Sequence, residues 1–166
     1  MNLILERAAS EDAAEILTLQ KLAYQSEAAI YDDLTIPPLT QTLEEIVADL
    51  KRQTFLKATM EGRIVGSVRA YLQDGTCFVG RLIVHPSFQN QGIGTRLLGE
   101  IERAFDQAER FELFTGHLSE RNLYLYQKLG YRPYRNRTVS EALTLVHLEK
   151  LAQAQQGNHT LGGTEE

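Results

Sequence analysis

Two stretches of the chain combine residue types and spacings that could do chemistry. In Arg81-Leu82-Ile83-Val84-His85-Pro86-Ser87-Phe88-Gln89-Asn90-Gln91-Gly92-Ile93-Gly94-Thr95-Arg96-Leu97-Leu98, an apolar run enters a turn, and two glycines follow where an amphipathic pattern begins. Glycines at a helix start let the backbone approach a ligand closely. The N–H groups of the first turn have no partner within the helix, and the dipole favours negative charge there, so a phosphate or pyrophosphate suits the place. A tight strand-to-helix corner with glycines present for packing explains the same residues. The second stretch contains Asn122 and Tyr126. At a spacing of four they share one helical face.

Two familiar anion loops fail the spacing test. A dinucleotide fingerprint needs G-x-G-x-x-G and an acid about 20 residues on, and the glycines here do not fit it. A phosphate loop of the nucleotide-hydrolase type needs G-K-S or G-K-T, which the segment lacks.

Short elements must position these residues. Leu3 to Arg7 reads as an opening strand, and Ser10 as the cap of a helix from Glu11 to about Tyr24. Periodicity fails from Gln25 to Gln41, where Pro37-Pro38 opposes helix, so a long loop is expected. Thr42 and Glu45 form a capping box ahead of the stripe Leu43, Ile46, Val47 and Leu50. Three strands follow, Phe55 to Met60, Arg63 to Gln73 and Thr76 to His85. The middle one sets Ile64, Gly66, Val68, Ala70 and Leu72 on one face, and Asp74-Gly75 marks a hairpin. Gly92 to about Gln107 is an amphipathic helix and Phe111 to Thr115 a strand. Ser119 caps a helix ending near Leu129 with Gly130 at its closing position, and Tyr131 to Arg135 and Ala142 to Leu148 form the last strands. Residues 1–150 then make one domain, and 151–166 a patternless, solvated tail.

In this frame the Gly-rich segment resembles the GNAT superfamily of acyl-CoA-dependent N-acetyltransferases. Gln89-Asn90-Gln91-Gly92-Ile93-Gly94 after Val84-His85-Pro86 matches the family pattern of Gln or Arg, two residues, Gly, one residue, then Gly or Ala. Leu125-Tyr126-Gln127-Lys128-Leu129-Gly130-Tyr131 is similar to the second family motif, and the element order follows the family from about residue 3 to 149. The resemblance implies an α/β (α+β) fold: a mixed, mostly antiparallel twisted sheet with a splayed parallel pair and helices on both faces. It also implies acetyl-CoA as co-substrate. Backbone groups of Leu82, Ile83 and Val84 would pair with the pantetheine arm. Amides of Gln89, Asn90, Gln91, Gly92, Ile93, Gly94 and Thr95 would hold the pyrophosphate, and Asn122 and Tyr126 would reach the cofactor from their helix. Many relatives have Asn at the place of Ser119; here Asn122, one turn later, is the substitute.

Acyl transfer to an amine needs a route for a proton off nitrogen and stabilisation of the departing thiolate. The resemblance gives Tyr126 the second task. Phenol near pKa 10 is a weaker acid than a thiol near 8.5, so complete transfer is uphill by about 2 kcal/mol and hydrogen bonding is the better description. Many relatives carry a Glu on the strand before the Gly-rich turn, but Phe78-Val79-Gly80-Arg81-Leu82-Ile83-Val84 has no carboxylate. His117 is the candidate base, directly or through water, and a base-free route stays open. The acceptor should lie beside residues 25–41, where Glu27, Tyr31, Asp32 and Asp33 suit a cationic amine, although solvated loop acids read the same way.

Bulk properties agree. The 166 residues make about one domain, and 17 Lys plus Arg against 22 Asp plus Glu give a net charge of −5, with no basic patch for nucleic acid. The single Cys77 excludes an intramolecular disulfide and suits a reducing compartment. No apolar run spans a membrane and no signal peptide opens the chain, so a cytoplasmic location is expected, with no metal. The expected function is acetyl transfer from acetyl-CoA to a primary amine. The rivals are a non-catalytic acyl-CoA-binding domain and a protein-modifying acetyltransferase. An exposed final strand could pair two copies as a homodimer.

Overall fold

The computed structural model describes residues 2–152. Seven strands form one sheet in the order β1-β2-β3-β4-β5-β7-β6. These are β1 (Leu3–Arg7), β2 (Thr54–Met60), β3 (Arg63–Gln73), β4 (Thr76–Val84), β5 (Arg110–Gly116), β6 (Arg132–Thr138) and β7 (Thr144–Leu151). All neighbours run antiparallel except β4 and β5, and their parallel pairing covers only Thr76↔Arg110, Cys77↔Phe111 and Phe78↔Glu112. Beyond Phe78 the two strands part, which is the splayed pair expected from the sequence.

The divergence has a local cause. Between Ser67 and Arg69 of β3, β4 advances from Ile83 to Gly80, so β4 carries one extra residue. Arg81 sits there in the left-handed region at φ 48°. A bulge of this kind bends the strand that bears it. Arg81 is fastened by donating from Nη1 to Gln41 Oε1 at 2.8 Å.

Helices cover both faces. On one side α1 (Ala13–Ala23) and α4 (Leu43–Arg52) bury Ala13, Ile16, Leu19 and Ile46 over Phe55, Ile64 and Ile83. On the other, α5 (Ile93–Ala104) buries Ile93, Leu97, Leu98 and Ile101, and α6 (Glu120–Lys128) adds Tyr126. Full burial of each such aliphatic side chain stabilises by about 1.5–3 kcal/mol. Because β3 lies under both layers, Ile64 through Ala70 are buried on both faces and Leu72 is exposed, in place of the one-sided alternation expected.

Residues 25–41 are not a loop. They form α2 (Gln25–Tyr31) and the single turn α3 (Pro37–Thr40). Pro37 and Pro38 occupy the first helical positions, where the missing N–H is no loss, so they start a helix instead of forbidding one. Ser10 does not cap α1. It opens a short 3-10 turn, and Asp12 Oδ2 accepts from the Ala9 amide at 2.8 Å. The Thr42–Glu45 box forms as read, with reciprocal bonds of 2.8 and 3.1 Å.

The final strand is not an edge. β7 lies between β5 and β6, and β6 is the exposed border. Arg132, Arg135 and Arg137 along that border oppose strand pairing with a second copy, since charged side chains blunt an edge. Leu151, placed in the tail by the sequence, ends β7 opposite Arg110, while the rest of the expected tail from residue 153 lies outside the described residues.

Candidate active site

β4 and β5 part toward their C-terminal ends, and α5 and α6 begin shortly after those ends in the chain. At α5, Gly92 is the N-cap in the left-handed conformation, φ 81°, and a Cβ built there would meet no atom within 4 Å. The turn's positive φ needs glycine, and its outer side is open. The first amide of the helix with a partner is that of Arg96, which donates to the Gly92 carbonyl at 3.0 Å. Among the described residues, no hydrogen bond uses the amides of Gln89, Asn90, Gln91, Gly92, Ile93, Gly94 or Thr95. Such a row of free N–H groups at a helix start is an anion cradle. Arg121 of α6 reaches across to the Gln89 and Asn90 side chains, the latter at 3.2 Å, and adds positive charge beside the row.

Along β4, the side turned toward β5 is unpaired past Phe78, so the edge that carries Leu82, Ile83 and Val84 is free in the cleft. An extended amide chain laid there would complete a ladder.

The mouth of α6 is built differently. Ser119 is its N-cap residue, but its side chain makes no cap bond. Ser119 Oγ donates to Glu27 Oε2 at 2.5 Å. Tyr31 completes the chain: its hydroxyl donates to Ser119 Oγ at 3.0 Å and accepts the Leu118 amide at 3.0 Å. Asn122 Nδ2 donates to Glu27 Oε1 at 3.3 Å and to Thr115 Oγ1 at 3.2 Å. Two residues of α2 thus plug the start of α6, where the sequence pattern placed a serine cap.

Tyr126, one turn beyond Asn122, is buried with its ring centroid 6.3 Å from that of Tyr131. Its hydroxyl makes no hydrogen bond among the described residues. The one sealed, unpartnered side-chain polar atom among the described residues is His147 Nε2, so the Tyr126 hydroxyl retains a little exposed surface. Burial, reinforced by Tyr24 and the Glu27 carboxylate, pushes its pKa above the usual tyrosine value.

His117, at the end of β5, is exposed, with its ring centroid 6.0 Å from that of Tyr31. Its Nδ1 lies 3.0 Å from the Thr144 amide nitrogen and 3.1 Å from the Thr144 carbonyl oxygen, so it can bond that backbone in either neutral tautomer. His85 Nδ1 accepts from the Ser87 amide at 3.0 Å and shapes the turn. Cys77 is a core residue, and burial pushes its thiol up to about 12.

Gln89 to Thr95 lie at the start of α5, Leu82 to Val84 on the stretch of β4 that is unpaired with β5, Asn122 and Tyr126 on α6, and His117 just past β5. The plug of Glu27 and Tyr31 on Ser119 was not legible. Glu27 and Ser119 stand 92 positions apart, and no local pattern links them. Asp32 and Asp33 are occupied otherwise: Asp32 closes α2 at φ 50°, and Asp33 accepts from Thr35 at 2.5 and 2.8 Å.

Comparison with known proteins agrees with the fold. A curated relative, UPF0157 protein YqkA of Bacillus subtilis (strain 168), is 28% identical over 133 residues, which cover 80% of this chain and only 38% of that protein. The fold is similar to that of the PaiA N-acetyltransferase from Thermoplasma acidophilum in complex with coenzyme A, with TM-score 0.76, 15% identity, and 91% of this chain and 99% of that one covered. It is also similar to a GNAT family acetyltransferase from Elizabethkingia anophelis with acetyl-CoA bound, with TM-score 0.68, 23% identity and coverage of 90% and 98%. The family model described as an acetyltransferase (GNAT) domain matches residues 51–133, from the end of α4 into β6 and through both candidate motifs, and the chain belongs to that family.

Proposed function

We propose that the chain transfers an acetyl group from acetyl-CoA to a primary amine of a small molecule or peptide, by direct attack within a ternary complex. One observation carries the reading: the amides of Gln89 to Thr95 at the start of α5 and the phenol of Tyr126 on α6 have no hydrogen-bond partner among the described residues. Amides from Gln89 to Thr95 hold the pyrophosphate, and the free edge at Leu82, Ile83 and Val84 pairs with the pantetheine amides. Asn122, whose Nδ2 is taken up, offers Oδ1 to the same arm. Relatives of the same fold crystallised with coenzyme A or acetyl-CoA support this choice of ligand.

Tyr126 stays protonated and points a donor at the sulfur that leaves. A positioned donor aimed at developing charge in a water-poor site contributes a factor of about 10²–10³. His117, bonded through Nδ1 to the Thr144 backbone, is the candidate base expected from the sequence, and a base-free route remains its alternative. The docking of α2 on α6 closes one side of the cleft, which favours a small amine over a folded protein as acceptor.

The absence of a carboxylate along β4 favours a second reading, an acyl-CoA-binding domain without catalysis. Thiol release from acetyl-CoA against polyamines, amino acids, aminoglycosides and short peptides separates the two, with coenzyme A binding followed by calorimetry. Turnover with any amine supports the enzyme; tight binding with no turnover across the panel supports the second reading.

A further inference from the structure

β4 lacks a carboxylate, yet one stands at the cleft by another route, on α2. We propose that Glu27 is the group that receives the acceptor's ammonium and takes its proton during acyl transfer, an inference that rests on the acetyltransferase reading. Glu27 is half-buried at the start of α6, beside the end of β5, and its two oxygens accept one hydrogen bond each, from Ser119 Oγ and Asn122 Nδ2. A carboxylate has about four acceptor sites, so each oxygen keeps capacity for a further N–H. Asn122 lies one helical turn before Tyr126 on the same face, which puts the carboxylate and the phenol on one opening. The anchoring is directional. Leu118 N–H donates to Tyr31, Tyr31 to Ser119 and Ser119 to Glu27, so the carboxylate is the terminal acceptor of a chain of bonds.

The chemistry balances with the thioester and the amine alone. The amine nitrogen forms a bond to the thioester carbonyl carbon, and the carbon–sulfur bond breaks with its electron pair on sulfur. One proton passes from nitrogen to Glu27, and Tyr126 donates a hydrogen bond to the thiolate. A free alkylammonium is about six pK units less acidic than a glutamic acid, so transfer from the bound ion alone is steeply uphill. The ammonium that Glu27 holds as its counter-ion has no lone pair, so it first releases one proton to water, and the neutral amine attacks. Nitrogen becomes far more acidic as it bonds to the carbonyl carbon, and the second proton passes to Glu27 at that moment.

A structural peg joining α2 to α6 is the competing role, and three readouts separate them. Glu27→Gln keeps the side chain's length and one acceptor oxygen. It should lower kcat by about 10²–10⁴-fold, the range for a positioned base. Acetyl-CoA affinity by calorimetry and Tm should stay near wild type. Glu27→Ala should regain at least about tenfold in rate with added formate, which can refill the space between Ser119 and Asn122 and restore the charge. The acid limb of the kcat/KM profile should vanish in Glu27→Gln. The titratable groups around this carboxylate are Tyr24 at the end of α1, with Arg81 of β4 beyond it, Tyr126 on α6, Tyr31 on α2 itself and His117 on β5. His117→Ala is therefore run in parallel and should keep the limb. A Glu27→Gln enzyme with wild-type kcat, or a Glu27→Ala enzyme indifferent to formate, overturns the inference while the wild type's own turnover keeps the acetyltransferase reading. A wild type with no turnover overturns both.

Discussion

The helices α5 and α6 follow the two strands that part, β4 and β5, and their N-termini are finished in opposite ways. The start of α5 is bare: a Cβ at Gly92 would meet open space, and the amides from Gln89 to Thr95 have no hydrogen-bond partner among the described residues. The start of α6 is stoppered by Glu27 and Tyr31, brought from another helix. Each end carries the same partial positive charge from its unpaired N–H groups. At α5 that charge is left for a ligand, whereas at α6 the chain's own carboxylate lies beside it. One mouth is proposed as a binding site made of backbone, and the other holds a charged side chain.

The largest effect should come from spoiling the bare mouth. Gly92→Val places a β-branched residue at φ 81° and sets its methyls into the space where the pyrophosphate would lie. Left-handed backbone costs an ordinary residue about 1–2 kcal/mol, so the fold should survive. Coenzyme A affinity should fall by at least about a hundredfold in calorimetry. An unchanged Kd would mean that the amides of this turn are not the anion site.

Next in size is Tyr126→Phe, which leaves both mouths intact and removes only the donor between them. We expect kcat to drop by about ten- to ten-thousand-fold with acetyl-CoA affinity nearly constant. Burial raises the Tyr126 pKa, which means that the neutral, donating form persists past the ordinary tyrosine value of about 10. The wild-type rate should accordingly show no alkaline fall from this group below pH 10. A descent there that disappears in the Phe variant would show a phenol ionising at its normal value, which a buried donor would not do.

The two mouths also differ in how far the sequence discloses them. The α5 site follows from residues adjacent in the chain: Gly92 sets the turn, and a contiguous segment supplies every amide. The splay of β4 from β5 could be anticipated only in outline, because the bulge at Arg81 is held by Gln41, a contact across 40 positions. For α6, Ser119 was read as a cap because serine at that place satisfies an N–H in isolation. In the folded chain Tyr31 binds the Leu118 amide, and Ser119 turns instead to Glu27. Local rules rank the local partner first and cannot weigh a side chain that arrives by tertiary packing. The same limit hid α2, whose short run docks through Ala28 and Tyr31 and has no long stripe to reveal it.

A third substitution attacks the plug without touching its polar groups. Gly116 lies against the Tyr31 ring so closely that a Cβ would overlap the hydroxyl and approach Cε2 to 2.9 Å. Gly116→Ala should displace Tyr31 and lower stability by about 1–3 kcal/mol, the usual cost of overpacking. Because Tyr31 and Glu27 leave together, kcat should fall while coenzyme A affinity holds. An equal loss of both would show that the two mouths are coupled and are not independent parts of the site.

The smallest effect concerns a third helix start, and it calibrates the other two. The N-terminus of α4 is closed by its own residues: Thr42 accepts the Glu45 amide at 3.1 Å, and Glu45 accepts the Thr42 amide at 2.8 Å. No ligand or distant side chain is involved, so Thr42→Ala should cost only what a cap is worth, about 1 kcal/mol. For a domain of this size that is a fall in Tm of about 2–4 °C. Turnover should be unchanged, although Gln41, the neighbour of Thr42, is the residue that holds Arg81 at the β4 bulge. The bond from Arg81 reaches the Gln41 side chain, which is also held by Gln20 and Asp49, so fraying one turn of α4 leaves that anchor in place. If kcat nonetheless falls in step with Tm, the bulge depends on the cap. The cleft would then be set by α4 as well as by its own strands.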